Sequence, residues 1–496
     1  MAGLVFRVVG FSSSLWLDEF GTLWAVEGGA VNQVLERALA FHPQSPFYYL
    51  LTWMSVRLLG ESEMALRLPA LVFGVALVLI VYRLGQEAGG KTIGLFAAAL
   101  AWVSYPLVEA SASARPYTLA AFMAAVMLYG FLRAARTGNW TGRLLFIAGG
   151  AGLFYAHYAC AVEAVGIAVA YALIKEIREH YSPFRFVGDV CVQAVLVLPC
   201  LPHLRNLWAR RGALSWLEAP DYLAVFEVVA PLLVLALAGA MWKKEPRLTL
   251  ERPVESWLWI VLATPAVALT AMAVMGSNLL EARYLLAMTA PAVVLAAWAV
   301  LRMPRRLLIL PMGYLFLWSF FFFGAHFILE DSFSGAGRQD WRGAVARLDK
   351  ILSKEGRAPV LYRSGFVEED GWPGGRVSPV TFAPLRSPGR RAPVWNLLSL
   401  TYRWRVPMRD EYFERLVTPA IAQAPVFYVM SCDNGPEDYS VRFREWVAAR
   451  FPGRFDGRRL KAGQGITLLR FEARAHVEST GTRATAPERL ESSLAR

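Results

Sequence analysis

The chain has 496 residues, 56% of them hydrophobic and 18% charged, with a formal net charge of +12 and a mean hydropathy of +0.38. That apolar excess excludes an ordinary soluble globular protein and points to a multi-pass membrane protein. In such a chain a basic surplus is the loop bias of membrane topology, so nucleic-acid binding is not expected. The four cysteines, at 160, 191, 200 and 432, show neither a disulfide framework nor zinc-site spacing.

Residues 1–10 are apolar but far too short to span a bilayer, since a helix needs about 20 residues. They read as the last part of a truncated first membrane helix. Residues 12–63 then form a long polar and aromatic interval, with the adjacent acids Asp18 and Glu19 near its start. Within it, Val31 to Phe41 is amphipathic and Pro46 to Leu59 is aromatic-rich, as interfacial helices are. From Ala65 onward ten apolar segments follow, at 65–82, 92–108, 116–133, 143–158, 159–174, 186–204, 222–242, 256–275, 284–301 and 308–328. With a complete first helix the count is eleven.

Alternate loops are basic: Arg83 and Lys91; Arg133, Arg136 and Arg143; Lys175, Arg178 and Arg185; Lys243, Lys244, Arg247 and Arg252; Arg302, Arg305 and Arg306. The positive-inside rule puts these on the cytoplasmic side. The Asp18 loop, the Glu109–Arg115 turn, the 205–221 loop, the Ser277–Arg283 turn and everything beyond 330 then share the outer face. Beyond Glu330, helical patterns (Asp340 to Leu352, Glu411 to Ala422, Tyr439 to Phe451) alternate with short apolar runs (from Pro359, Pro425 and Gly465), which is the pattern of a small α/β domain. Residues 365–410 read as an irregular insertion.

The expected fold is therefore mainly α. A polytopic transmembrane bundle of about 10–11 helices carries interfacial helices in its first outer loop and a C-terminal soluble α/β domain. Its divisions are 1–64 (truncated helix and outer catalytic loop), 65–330 (bundle), 331–474 (periplasmic or extracellular domain) and 475–496 (disordered tail).

Each candidate residue has a plain alternative. Asp18 with Glu19 reads as a general base and its helper, or as an acid pair favoured by a helix N-terminus. His42, in His42-Pro43-Gln44-Ser45-Pro46, reads as a donor contact or metal ligand, or as part of a turn. Arg115, before Pro116 and Tyr117, reads as a phosphate clamp or as a snorkelling anchor. Arg283 with Tyr284 has the same two readings. Arg67 is another outer arginine, with a structural alternative. Glu163, inside an apolar segment, is a functional candidate by location or a partner of His157.

Several motifs in order resemble the multi-pass C-type glycosyltransferases, and most closely their bacterial family 39, of the dolichyl-phosphate-mannose protein mannosyltransferase type. They are Trp16-Leu17-Asp18-Glu19, the His42 to Leu50 stretch, Leu66-Arg67-Leu68-Pro69, Ala114-Arg115-Pro116-Tyr117, Ala282-Arg283-Tyr284 and Gln339-Asp340-Trp341-Arg342-Gly343-Ala344. The resemblance covers about residues 5–345. It implies a polyprenyl-phosphate-linked sugar as donor, a lipid, protein or glycan acceptor, and an inverting single displacement in a bacterial inner membrane, at its outer face. Carried over, Asp18 is the base with Glu19 beside it, while Arg115 and Arg283 hold the leaving phosphate. His42, Arg67, Glu109, Tyr117 and Tyr284 complete the binding set. The chain departs from the pattern at Ser113, where relatives often carry an acid, and at Gln44-Ser45, which separate prolines that relatives place together. Whether Glu109 substitutes for the missing acid is left open, as is a divalent cation as cofactor. The rival readings are a transporter or flippase of lipid-linked glycans and a non-catalytic scaffold.

Overall fold

The computed structural model describes residues 7, 11, 13–209, 232–237, 250–275, 281–304, 310, 313–314, 339–366, 379–386, 388, 395–400, 404, 409–432, 439–462 and 465–474. The expected first helix apart from Arg7, most of the spans at 222–242 and 308–328, and the 475–496 tail lie outside these residues. Among the described residues, five helices are long and apolar enough to cross a membrane: Glu63–Gly89, Tyr117–Thr137, Pro183–Ala209, Arg252–Val274 and Arg283–Arg302.

The expected span at 92–108 is a pair of helices, Lys91–Val103 and Tyr105–Ser111, bent by 61°. The cause is Pro106, which has no N–H for the carbonyl four residues back. That carbonyl, on Trp102, instead accepts from Arg7 Nη1 at 2.6 Å, and the Arg7 guanidinium lies 4.6 Å from the centre of the Trp102 ring. The segments expected at 143–158 and 159–174 are shorter helices, Trp140–Ala156 and Ala159–Leu173, broken at His157. Trp140–Ala156 packs against Tyr117–Thr137 through small residues. A methyl on Gly130 would run into the Phe146 backbone, and one on Gly149 into that of Met127. In a bilayer, where apolar side chains gain nothing by leaving lipid, such backbone proximity is what holds helices together.

Before the bundle come three shorter helices, Leu17–Val26, Val31–Phe41 and Phe47–Leu59. Leu15, Phe20, Leu23 and Val26 are buried, so the first of these is embedded between the bundle and the C-terminal domain.

The C-terminal domain is built on a five-stranded sheet, with β1 Pro359–Arg363, β2 Asn396–Ser399, β3 Val426–Cys432, β4 Phe455–Leu460 and β5 Ile466–Ala473. Its order is β2-β1-β3-β5-β4. β1 is parallel to β2 and β3, while β5 is antiparallel to β3 and β4. The alternation of strand side chains gives the sheet two buried faces. Leu361, Phe427, Val429, Leu469 and Phe471 pack with Phe413 and Phe443. Val360, Tyr362, Tyr428, Met430, Cys432 and Leu468 pack with Trp341 and Leu348 of the helix Trp341–Glu355, and this core is continuous with that of the bundle.

The sequence reading anticipated β1, β3, β5 and the three domain helices, although the helix at Glu411 to Ala422 contains a π-turn at Phe413–Val417. It placed neither β2 nor β4. β2 is four residues long, inside the expected irregular insertion. β4 is a largely exposed edge strand of sequence FDGRRL with no apolar alternation, its register set by pairing to β5.

Candidate active site

Asp18 and Glu19 stand at the start of the Leu17–Val26 helix and are neighbours in sequence only. Successive side chains on a helix diverge by about 100°, so the two carboxylates enter different surroundings.

Glu19 points into the protein and is fully buried. Its Oε1 accepts from Arg67 Nε at 2.8 Å and from the Ala114 backbone N–H at 2.7 Å. Its Oε2 accepts from Arg67 Nη2 at 2.6 Å and from the Trp16 N–H at 3.3 Å. Arg67 is equally buried. Its Nη1 donates to the Phe11 and Ser13 carbonyls at 2.9 and 3.0 Å, and its Nη2 donates to the Ser14 carbonyl at 3.2 Å. A fork facing a carboxylate side-on is the strong form of ion pair. Here it ties residues 11–19 to the Glu63–Gly89 helix and to the turn before Arg115.

Asp18 faces the other way, and its side chain keeps 24% of its surface. Its Oδ2 accepts from Arg283 Nη1 at 2.8 Å and lies 3.7 Å from Arg115 Nη2. Arg115 Nη1 also donates to the Asp18 backbone carbonyl at 3.2 Å. Arg115 is buried, and its Nε has no hydrogen-bond partner. Burial pulls its pKa down, but the facing oxygens of Tyr49, Tyr117 and Asp18 more than offset this and hold it above the ordinary arginine range.

Aromatic rings wall the arginines. Arg115 lies 5.8 Å and Arg283 6.0 Å from the centre of the Tyr117 ring, and Arg283 lies 5.8 Å from that of Tyr284. The His157 ring sits 4.7 Å from Tyr284 and 5.6 Å from Tyr117. Four segments distant in sequence, at 18, 115–117, 157 and 283–284, thus converge on one place.

His42 is beside this group, beneath the Asp18 helix. It is buried, stacked on Tyr49 with ring centres 4.0 Å apart, and its Nε2 lies 3.2 Å from the Gly21 carbonyl oxygen. Gly21 leaves room for it, since a methyl there would meet the Phe41 and His42 rings. Gln44, one of the two residues that separate the prolines, accepts from the Tyr49 hydroxyl at 2.9 Å and lies 3.2 Å from His157 Nε2. His157 therefore meets Gln44, and Glu163, the partner weighed for it, is buried with neither carboxylate oxygen hydrogen-bonded. Glu109 is half-buried on the Tyr105–Ser111 helix. Ser113 accepts from the Trp16 indole N–H at 3.3 Å. Among the described residues no three of His, Cys, Asp and Glu gather as a metal site needs.

The sequence reading missed Tyr49, Gln44 and, above all, Gln339, whose carboxamide Oε1 accepts from the Leu17 N–H at 2.9 Å. Only the position of Gln339 at the head of a motif marked it.

Residues 42–204 match the family described as Dolichyl-phosphate-mannose-protein mannosyltransferase. A comparison with curated proteins by sequence finds no match. Among solved structures, the fold is similar to that of ArnT from Cupriavidus metallidurans in the apo state, with a TM-score of 0.51 and 12% identity over 95% of this chain and 96% of that one. The same protein bound to undecaprenyl phosphate gives a TM-score of 0.51 and 11% identity, with the same coverage. The chain is thus a multi-pass membrane protein whose residues 42–204 match that mannosyltransferase family and whose fold is that of the two ArnT structures.

Proposed function

We propose that the chain transfers a sugar from a polyprenyl-phosphate carrier to an acceptor hydroxyl or amine at the outer face of the membrane, by a single inverting displacement with Asp18 as base. The observation that carries this is one oxygen. Asp18 Oδ2 is shared by Arg283 and Arg115, at a partly open position walled by aromatic rings.

The chemistry follows from charge. The donor is a phosphodiester with one negative charge, and its leaving group is a phosphate monoester that gains a second. Guanidinium groups placed where that charge grows lower the barrier. Arg115 and Arg283 supply them, and the unpaired Arg115 Nε–H is a buried donor suited to a phosphate oxygen. The acceptor's proton passes to Asp18, its oxygen or nitrogen bonds the anomeric carbon, and the bond from that carbon to the phosphate oxygen breaks with its electron pair on the phosphate.

Asp18 and the donor phosphate compete for the same N–H groups. Docking the phosphate on the arginines therefore releases Asp18 for the acceptor, so base and donor arrive together. Glu19, with every oxygen engaged, positions the helix rather than taking part, and Arg67 does the same. The aromatic group Tyr117, Tyr284 and His157 forms a wall for the sugar or the first isoprene unit. That the similar ArnT structure was obtained with undecaprenyl phosphate supports a carrier of this kind.

The test is sugar release from a polyprenyl-phosphate donor by purified protein, wild type against Asp18→Asn at matched amounts. Turnover that Asp18→Asn abolishes supports the assignment. Equal turnover in both removes Asp18 as base.

A further inference from the structure

At the start of the Leu17–Val26 helix the Glu19 carboxylate takes the Trp16 N–H, but no side chain of this turn takes the Leu17 N–H. The N-cap residue, Trp16, has no side-chain acceptor to offer the first N–H groups, and those groups need one. The Leu17 N–H is met from another domain, by Gln339 Oε1 at 2.9 Å. That carboxamide is itself fixed. It is 1% exposed, the Trp341 indole N–H donates to its oxygen at 3.2 Å, and its nitrogen donates to Cys432 Sγ at 3.3 Å. Cys432 ends β3, on the sheet face turned toward the bundle.

Two neighbouring features serve the same junction. The Arg342 N–H donates to Ser14 Oγ at 3.3 Å, and Arg342 Nη1 bonds Glu63 at 3.0 Å. Gly365, just past β1, has φ +95°, and a side chain there would crowd Cys432 and come into contact with Leu17. The sheet thus touches the helix one residue from Asp18.

We infer that Gln339 is a positioning residue for the transfer: from the C-terminal sheet it caps the Asp18 helix and sets where the Asp18 carboxylate stands between Arg115 and Arg283. This rests on the assignment of Asp18 as base. The Glu19–Arg67 pair anchors the helix on its bundle side, and Gln339 anchors its N-terminus on the other side. Without the cap, the first turn is held on one side only, and an error of about 1 Å in a reacting group can lower a rate by roughly a hundredfold.

The experiment measures kcat and the donor KM on detergent-purified, monodisperse full-length protein, together with equilibrium binding of undecaprenyl phosphate. Gln339→Leu leaves the Leu17 and Trp341 N–H groups without an acceptor. Its kcat is expected to fall about tenfold or more, with donor KM and undecaprenyl phosphate affinity within about twofold of wild type. Gln339→Glu keeps the accepting oxygen, and the Cys432 thiol can donate to its second oxygen. It is expected to restore kcat to within about threefold. If the leucine variant does not fold, Gln339→Asn, one methylene short of Leu17, is measured for the same loss. Wild-type kcat in the leucine or asparagine variant, a rise in KM alone, or failure of the glutamate to rescue overturns the inference. Asp18→Asn is run alongside. If it is inactive while Gln339→Leu is fully active, only this inference falls. If Asp18→Asn is fully active, the base assignment and this inference fall together.

Discussion

At the Asp18 end of the bundle, arginines meet carboxylates inside the protein; at the far end they meet them near its surface. Arg67 and Glu87 lie about 30 Å apart on one helix, at 1.5 Å per residue, and mark the two ends. At the first, Glu19 and Arg67 are both 0% exposed. At the second, Arg133 reaches Glu87 at 3.6 Å, and Arg136 bonds Glu251 at 2.9 Å with the acid 64% exposed. The same residue types therefore do different work. Exposed arginines keep their water, and their partners are incidental. Buried ones carry a desolvation cost that close pairing with a carboxylate offsets only in part, so their presence marks a place where geometry matters more than stability.

The largest effect expected from breaking this contrast is at Arg67. Arg67→Met leaves Glu19 charged and buried with only two backbone donors. Removing one partner of a buried pair costs about 3–5 kcal/mol, enough to unfold a marginal protein. The expected result is loss of the monodisperse species in detergent. The double variant Arg67→Met with Glu19→Leu removes both charges and is expected to recover much of that stability. If Arg67→Met is as stable as wild type, the buried pair is not what holds residues 11–19 in place.

Next is Asp18→Asn, where activity and stability should separate. Asp18 is partly exposed, and an asparagine oxygen still accepts from Arg283. The melting temperature is expected to stay within a few degrees of wild type, while turnover falls about 10²- to 10⁴-fold, the range for loss of a general base. A parallel fall in both would show that Asp18, like Glu19, is structural.

How much of this was open to sequence reading follows from the same contrast. The spans Glu63–Gly89, Tyr117–Thr137 and Arg252–Val274 were legible because an apolar run of that length has one use. Arg115 and Arg283 stood out as arginines away from the basic loops and Asp18 as half of an acid pair, but their meeting at one place was implied only by the family resemblance. The separate fates of Asp18 and Glu19 were legible in principle, since helical neighbours point apart, but which of them faces the opening depends on where Arg67 and Ala114 pack. The bend at Ser104 was signalled by Pro106. Gln339 was not legible as a cap: its bond to Leu17 crosses 322 residues, and no local pattern encodes a partner at that distance. β4 was hidden because an edge strand facing water needs no alternation.

The far end supplies a third test, at a buried acid. The Asp189 side chain is 4% exposed and takes both Arg143 Nε and Nη2 at 2.7 Å, with the Tyr181 hydroxyl as a further donor. It staples the Trp140–Ala156 helix to the Pro183–Val197 helix. Asp189→Leu is expected to cost about 1–3 kcal/mol, since it leaves the buried Tyr181 hydroxyl unpaired. Turnover per folded molecule should be unchanged, because the acid is remote from Asp18. A change in kcat at constant fold would mean that the two ends are coupled.

The smallest effect is expected at Arg136, and it is the most demanding test of the contrast because it predicts almost nothing. Arg136 bonds Glu251 and the Glu87 carbonyl, so by a list of contacts it resembles Arg67. Both its partners are at the surface, however, where water replaces a lost guanidinium and an exposed pair contributes about 0–1 kcal/mol. Arg136→Ala should therefore leave thermal stability within about 1 kcal/mol of wild type and activity unaltered. Arg136→Glu, by contrast, reverses a charge that the positive-inside rule counts, and places it near Glu87 and Glu251. The readout for it is the accessibility of single introduced cysteines to an impermeant thiol reagent. An altered labelling pattern in the glutamate variant, beside an unaltered alanine variant, would show that the charge of this arginine matters for insertion and its hydrogen bonds do not. Were the alanine variant to unfold as Arg67→Met is expected to, burial would not be what distinguishes the two ends.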